Sequence, residues 1–233
     1  MKTRSFACAL VALFVAPLGC SSSSDVGEDV TSSWQAPAKE ASCEGLESIT
    51  EGNPAVFFSP FDDSEQKALC ILDEAKQEVV VGHYNIRSQK MLDKLVALKN
   101  RGVAVSVVVD KENADESFNL GDDFLEANGI KVVRFKPAAK YSIMHLKVAV
   151  VDSKTMMTGS FNWNNTAANA NDENMLVFRD ADLAKKYRDE VIELLGDKPR
   201  SVGGGAVRTG LEVHFSPEER LDSVIRREID AAK

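Results

Sequence analysis

The feature that most constrains this chain is a series of short, unbroken apolar runs separated by segments of helical period. The runs are Glu78–Gly82 (EVVVG), Val103–Val109 with Asp110 at its end, Ile130–Phe135 and Val148–Val151. Apolar runs of strand length without polar alternation describe strands covered on both faces, and such strands need helices on each side. The intervening segments supply them. Ser64–Lys76 spaces Ala68, Leu69, Leu72 and Ala75 at helical intervals. A helix capped by Ser88 places Met91, Leu92, Leu95 and Leu98 on one face and stops at Gly102. Short strands at Val56–Phe58, Thr155–Thr158 and Asn174–Phe178, and helices at Asp122–Asn128 and Leu183–Leu195, complete the set. The alternation predicts an α/β sandwich, a mixed β-sheet flanked by helices on both faces.

Within that frame the stretch His145–Asn162, HLKVAVVDSKTMMTGSFN, carries the chemistry. Side chains alternate along a strand, so His145 and Lys147, two apart, share a face if the strand includes both. A nucleophile and a cation then stand side by side. Lys147 lies between apolar neighbours, where an unpaired ammonium is costly, and a bound phosphate would supply its partner. Ser160 and Asn162 after Gly159 have the same parity, so a hydroxyl and an amide can reach the oxygens that Lys147 neutralises. Asp152 also fits a hairpin turn, Asp152-Ser153-Lys154, in which aspartate bonds nearby backbone. It therefore ranks below His145, Lys147 and Asn162. His83, at the end of a buried strand, reads more readily as a hydrogen-bonded core histidine than as a pocket residue, and His214 has no evident role.

The spacing H-x-K-x4-D-x6-G-S-x-N resembles the signature of the phospholipase D superfamily and matches it at every fixed position. The likeness runs from about Asn53 to Gly196, through VFFSPFDDSEQKALCILDEAK, EVVVGHYNI and LVALKNRGV to NDENMLVF. It is nearest to the compact single-motif members, which include bacterial endonucleases and the mitochondrial cardiolipin hydrolase group. The resemblance implies a phospholipase D-like sandwich and a phosphodiesterase that needs no metal and no cofactor. It makes His145 the nucleophile that forms a phosphohistidine, and Lys147, Ser160 and Asn162 the groups on the phosphate oxygens. Glu173 in NDEN would hydrogen-bond the catalytic histidine, and Asp152 is the acid of the motif. Two motifs meet at one active site in this family, so a chain with one complete copy implies a homodimer.

The 233 residues, 44% hydrophobic, suffice for one full domain and little more. Residues 1–19 read as a secretory signal: Lys2 and Arg4, then an apolar run from Phe6 to Ala16 too short for a permanent span. Pro17-Leu18-Gly19-Cys20 is similar to a bacterial lipobox, although Pro17 departs from the usual aliphatic residue. It marks Cys20 as the lipidated first mature residue of a cell-envelope lipoprotein, periplasmic or outer-membrane associated. Residues 20–52 read as a flexible tether, serine-rich and acidic. Cys43 and Cys70 either form a disulfide that pins this tether or leave Cys70 a free, buried thiol. Loss of Lys2 and Arg4 takes the formal charge from −8 to about −10.

Residues 197–212, with Gly203-Gly204-Gly205, read as a linker. Beyond it, residues 213–233, VHFSPEERLDSVIRREIDAAK, align without a gap on residues 56–76, VFFSPFDDSEQKALCILDEAK, with seven of twenty-one positions identical. They read as the start of a truncated second repeat. Its apolar stripe of Leu221, Val224, Ile225 and Ile229 either marks a truncated form of a two-copy enzyme or docks elsewhere, for instance on a neighbouring subunit.

Three substrate readings follow. Export and an anchor favour a membrane phospholipid, because tethering raises the effective concentration of the enzyme at its substrate. A nuclease needs a basic surface, for which Lys131, Arg134, Lys136 and Lys140 are the local candidates in an acidic chain. An inactive, truncated lipoprotein is the third reading.

Overall fold

The computed structural model describes residues 42–196, 203–208 and 210–232. The signal sequence, Cys20, the tether to residue 41 and residues 197–202 of the linker lie outside these residues. Seven strands form one mixed sheet: β1 (Ala55–Ser59), β2 (Glu78–His83), β3 (Ala104–Asp110), β4 (Lys131–Phe135), β5 (Lys147–Val151), β6 (Thr155–Gly159) and β7 (Glu173–Phe178). Their order is β1-β7-β6-β5-β2-β3-β4. The β2–β3 and β3–β4 pairs are parallel and the remaining pairs antiparallel.

Val79 and Val81 of β2 turn to one face and Val80 to the other, and all three are buried. The first face is covered by α1 (Ser64–Asp73) and α2 (Gln89–Asn100), whose Ile71, Leu72, Met91, Leu95 and Leu98 pack there. The second is covered by α6 (Ala181–Leu195) through Leu183, Val191, Leu194 and Leu195. Each such side chain, removed from water, contributes roughly 1.5–3 kcal/mol to the apolar driving force. Helix starts follow capping chemistry, as Ser88 Oγ accepts from Met91 N and Asp180 Oδ1 from Leu183 N. Three short helices, α3 (Lys111–Ala114), α4 (Gly121–Ala127) and α5 (Asn165–Asn169), fill the connections.

Two expected boundaries move. Residues 42–52, read as tether, pack on the domain: Leu46 and Ile49 are buried in the first core, and Lys67 Nζ donates to the Ser42 and Glu44 carbonyls. Cys43 is disulfide-bonded to Cys70 on α1, which resolves the open alternative in favour of the bridge. Residues 205–213 are not wholly linker either, because β8 (Gly205–Arg208) and β9 (Leu211–Val213) form a hairpin. Val213 and Phe215 are buried in the second core against α6, so this segment docks on its own domain. The last helix, α7 (Leu221–Ala231), starts 157 residues after α1, the offset of the sequence alignment. Its Ile225 and Ile229 remain exposed.

Candidate active site

The strand registers bring one end of β1, β2, β3, β4 and β6 together with the starts of β5 and β7. Ser59 faces Glu173, His83 faces Lys147, and Asp110 faces Phe135. His145, Lys147, Gly159 and Glu173 all lie at this one edge of the sheet, with Ser160 and Asn162 in the turn that leaves it.

His145 precedes β5 rather than lying in it. Its ring meets Tyr84 edge-on, with centroids 4.8 Å apart, and Lys147 Nζ stands 5.0 Å from the centroid of the same Tyr84 ring. Lys147 is only 7% exposed, and its ammonium donates to the His145 carbonyl at 3.0 Å. Burial drives the Lys147 pKa down to about 8, against a smaller upward pull from Glu173. Burial and the neighbouring Lys147 charge lower the His145 pKa, partly offset by Asp110. The lowered pKa favours the neutral form of the histidine, beside an incompletely solvated cation that gains from binding an anion.

The Gly-Ser-x-Asn turn is fastened to Asn174. The Asn174 carbonyl accepts from Ser160 N (3.0 Å) and Phe161 N (3.2 Å), and Asn174 N donates to Ser160 Oγ (3.0 Å). Gly159 has φ +140°, and a Cβ there would stand 2.3 Å from the Asn174 carbonyl oxygen, so only glycine permits this approach. Asn162 Oδ1 is buried without a hydrogen-bond partner among the described residues, an acceptor whose cost only a hydrogen-bond donor would relieve.

Two motif residues are placed differently from expectation. Asp152 is at the far end of β5, roughly 15 Å along the strand from Lys147, and is not at the site. Its carboxylate accepts from the backbone N–H groups of Lys76, Gln77 and Glu78 at 2.9, 2.8 and 2.9 Å, and its φ of 50° forms the β5–β6 turn. Those bonds outweigh the upward effect of burial and hold its pKa below the usual carboxylate value. Three backbone donors recruit the acid to hold the start of β2. Glu173 is at the site, but its carboxylate accepts from Asn171 Nδ2 at 3.1 Å and acts electrostatically on Lys147. Among the described residues no hydrogen bond joins it to the His145 ring.

Asp110 is the residue that sequence reasoning missed. It is fully buried at the end of β3, where Oδ2 accepts from Met144 N at 2.8 Å and Oδ1 from Asn113 N at 2.9 Å. It thereby fixes the backbone one residue before His145 and offsets part of the lowering of the His145 pKa. The signal was an acid closing the apolar run SVVVD. His83 is a core histidine, as its sequence setting favoured: it is 1% exposed, stacks on Trp163 at 4.6 Å, and its Nδ1–H donates to the Asn85 carbonyl. Burial first, then Lys147, pushes its pKa down to about 3.

The candidate basic surface is largely neutralised. Arg134 pairs with Asp122, Asp123 and Glu126, and Lys136 pairs with Glu112. Lys131 and Lys140 stay exposed. The edge around the site is instead apolar, because Phe58, Phe61, Phe118, Leu120, Tyr141 and Ile143 are exposed on β1 or on the loops that leave this edge.

A family model described as "Cardiolipin synthase, PLD-like domain" matches residues 69–195, more than half of the chain. The mitochondrial cardiolipin hydrolase of Chlamydomonas reinhardtii is 31% identical over 137 residues, covering 59% of this chain and 60% of that protein. A phospholipase D of Rickettsia bellii is 25% identical over 170 residues, 70% of this chain and 81% of the relative. Among solved structures, Nuc from Salmonella typhimurium, a phospholipase D family member, superposes with a TM-score of 0.57 at 27% identity. The match covers 64% of this chain and 99% of Nuc.

Proposed function

The chain belongs to the phospholipase D superfamily, through the PLD-like domain of the cardiolipin synthase type, and from that membership we propose that it is a metal-independent phosphodiesterase acting on phospholipids. The observation that carries the reading is the placement of His145 beside the buried ammonium of Lys147, both against the Tyr84 ring. His145 attacks phosphorus, a nitrogen–phosphorus bond forms, and the bond to the leaving oxygen breaks. The same histidine of a second copy, which must be protonated while His145 is neutral, gives that oxygen its proton. It then takes a proton from the water that displaces His145 and releases the phosphate product. Lys147, Ser160 and Asn162 stabilise the charge on the non-bridging oxygens, a task that cations and hydrogen-bond donors perform without a Lewis acid. Asp110 keeps His145 in place, and Glu173 balances Lys147.

A lipid substrate is supported by the apolar edge around the site and by the ion pairs that occupy Arg134 and Lys136. It fits an exported protein held to a cell envelope through Cys20, with residues 213–233 descended from a second repeat. The likeness to Nuc supports an endonuclease as the second reading. The test is incubation of the mature protein in EDTA with labelled phosphatidylcholine, cardiolipin and single-stranded DNA, alongside His145→Asn. Lipid turnover that the variant loses is the expected result. DNA cleavage alone would favour the second reading, and activity that needs added zinc would overturn the chemistry.

A further inference from the structure

Beside His145 lies a cavity of about 520 Å³, bounded by the 135–146 loop, by Tyr187 of α6 and by residues 214–217 with Leu221. Its size is that of a small-molecule site. Phe135, Ile143, Leu146, Phe215, Pro217 and Leu221 make most of its wall apolar, Glu190 and His214 are its ionisable members besides His145 and Tyr187, and neither lysine nor arginine lines it. Tyr187 and Thr158, two of its polar residues, hydrogen-bond to each other. A single-stranded nucleic acid would want cations along such a groove, whereas an apolar chain wants what is there.

The outer wall is built into the fold. Phe215 is buried and meets Tyr187 edge-on at 5.3 Å. The Glu219 carboxylate accepts from the backbone N–H groups of Gly204 and Phe215 and pairs with His214, which ties the turn to the hairpin. Residues 214–221 also lie beyond residues 69–195, the part matched by the family model.

We propose that this wall makes the cavity a chain-binding subsite, which holds the apolar tail of a phosphodiester while its phosphate is at His145. The inference rests on the phosphodiesterase reading and narrows its substrate to diesters bearing a long alkyl or acyl chain. Phe215, Pro217 and Leu221 then determine specificity, and a segment that looks like a leftover of a second repeat has become part of the site.

The test compares methyl and decyl p-nitrophenyl phosphate, both kept below micelle formation, with the full mature chain. The wild type should favour the decyl ester in kcat/KM by at least about tenfold, the discrimination expected of an apolar pocket. Leu221→Gln and Ile143→Ser, both at partly exposed positions, should each bring the decyl-to-methyl ratio down at least about threefold. A wild-type ratio near one, or a preference that survives both substitutions, overturns the subsite. If the methyl ester is cleaved in a His145-dependent way without chain preference, the subsite falls and the phosphodiesterase reading stands. If folded protein turns over neither ester, the phosphodiesterase reading falls and the subsite with it.

Discussion

The two ends of β5 belong to one sequence motif and behave in opposite ways. At its start, Lys147 is a buried ammonium held by a carbonyl, a ring face and a carboxylate at a distance, and its pKa is displaced downward. At its far end, Asp152 accepts three backbone hydrogen bonds and its pKa is displaced so that its charge is favoured. One end stores a deficit that an anionic ligand relieves, and the other has its needs met by the fold. Residues spaced as a single signature can therefore divide between chemistry and architecture. Polar satisfaction tells which is which.

Substitutions along the strand can break this contrast. His145→Asn should lower kcat/KM by roughly 10⁴ or more, as loss of a nucleophile does, with an unchanged urea midpoint. Lys147→Met should cost about 10²–10³ in kcat/KM, the scale of losing one charge-stabilising donor, and should raise stability or leave it level. Asp152→Ala should do the reverse. Stability should fall by about 1–3 kcal/mol in denaturant titration, because three N–H groups at the start of β2 lose a charged acceptor. Turnover per folded molecule should stay within about twofold of wild type. A large loss of turnover in Asp152→Ala at full folding would dissolve the distinction.

The pH behaviour sharpens it further. The pKa of His145 is depressed, so kcat/KM should rise as pH climbs through a value below 6.5. It should fall at higher pH as the proton-donating histidine of the second copy deprotonates, and again above about 8, where free Lys147 loses its proton. Lys147→Arg, whose charge persists, should remove the second of these falls even at a reduced rate. His83 gives a smaller effect. Its folded pKa of about 3 lies below the unfolded 6.5, so the unfolded state binds the proton first and stability declines as pH falls through that interval. The slope should be about 1.4 kcal/mol per pH unit, measured by denaturation between pH 6 and 4, and His83→Gln should flatten it.

The layered sheet, its helices and the reactive edge were legible because apolar period and motif spacing are local signals. β2 and α2 lie within a residue or two of where EVVVG and the Ser88 cap placed them. The features that escaped are long-range. That Asp152 meets Lys76–Glu78 and Asp110 meets Met144 depends on which strands become neighbours, and no spacing in one segment reports that. Glu173 was expected on the histidine ring, yet its hydrogen-bond partner is Asn171 and its charge acts on Lys147. Residues 42–52 looked like tether because their composition is polar, and Leu46, Ile49 and the Cys43 bridge outweigh that composition. The 205–213 hairpin was hidden behind its glycines.

The Cys43–Cys70 bridge closes a loop of 27 residues, a constraint on the unfolded chain worth roughly 3–4 kcal/mol in the loop-entropy model. It sits beside α1, while the phosphate-binding groups gather at the sheet edge. Thiol reductants should accordingly lower the melting temperature without touching the rate constants, so the molecule's endurance and its reactivity answer to separate controls.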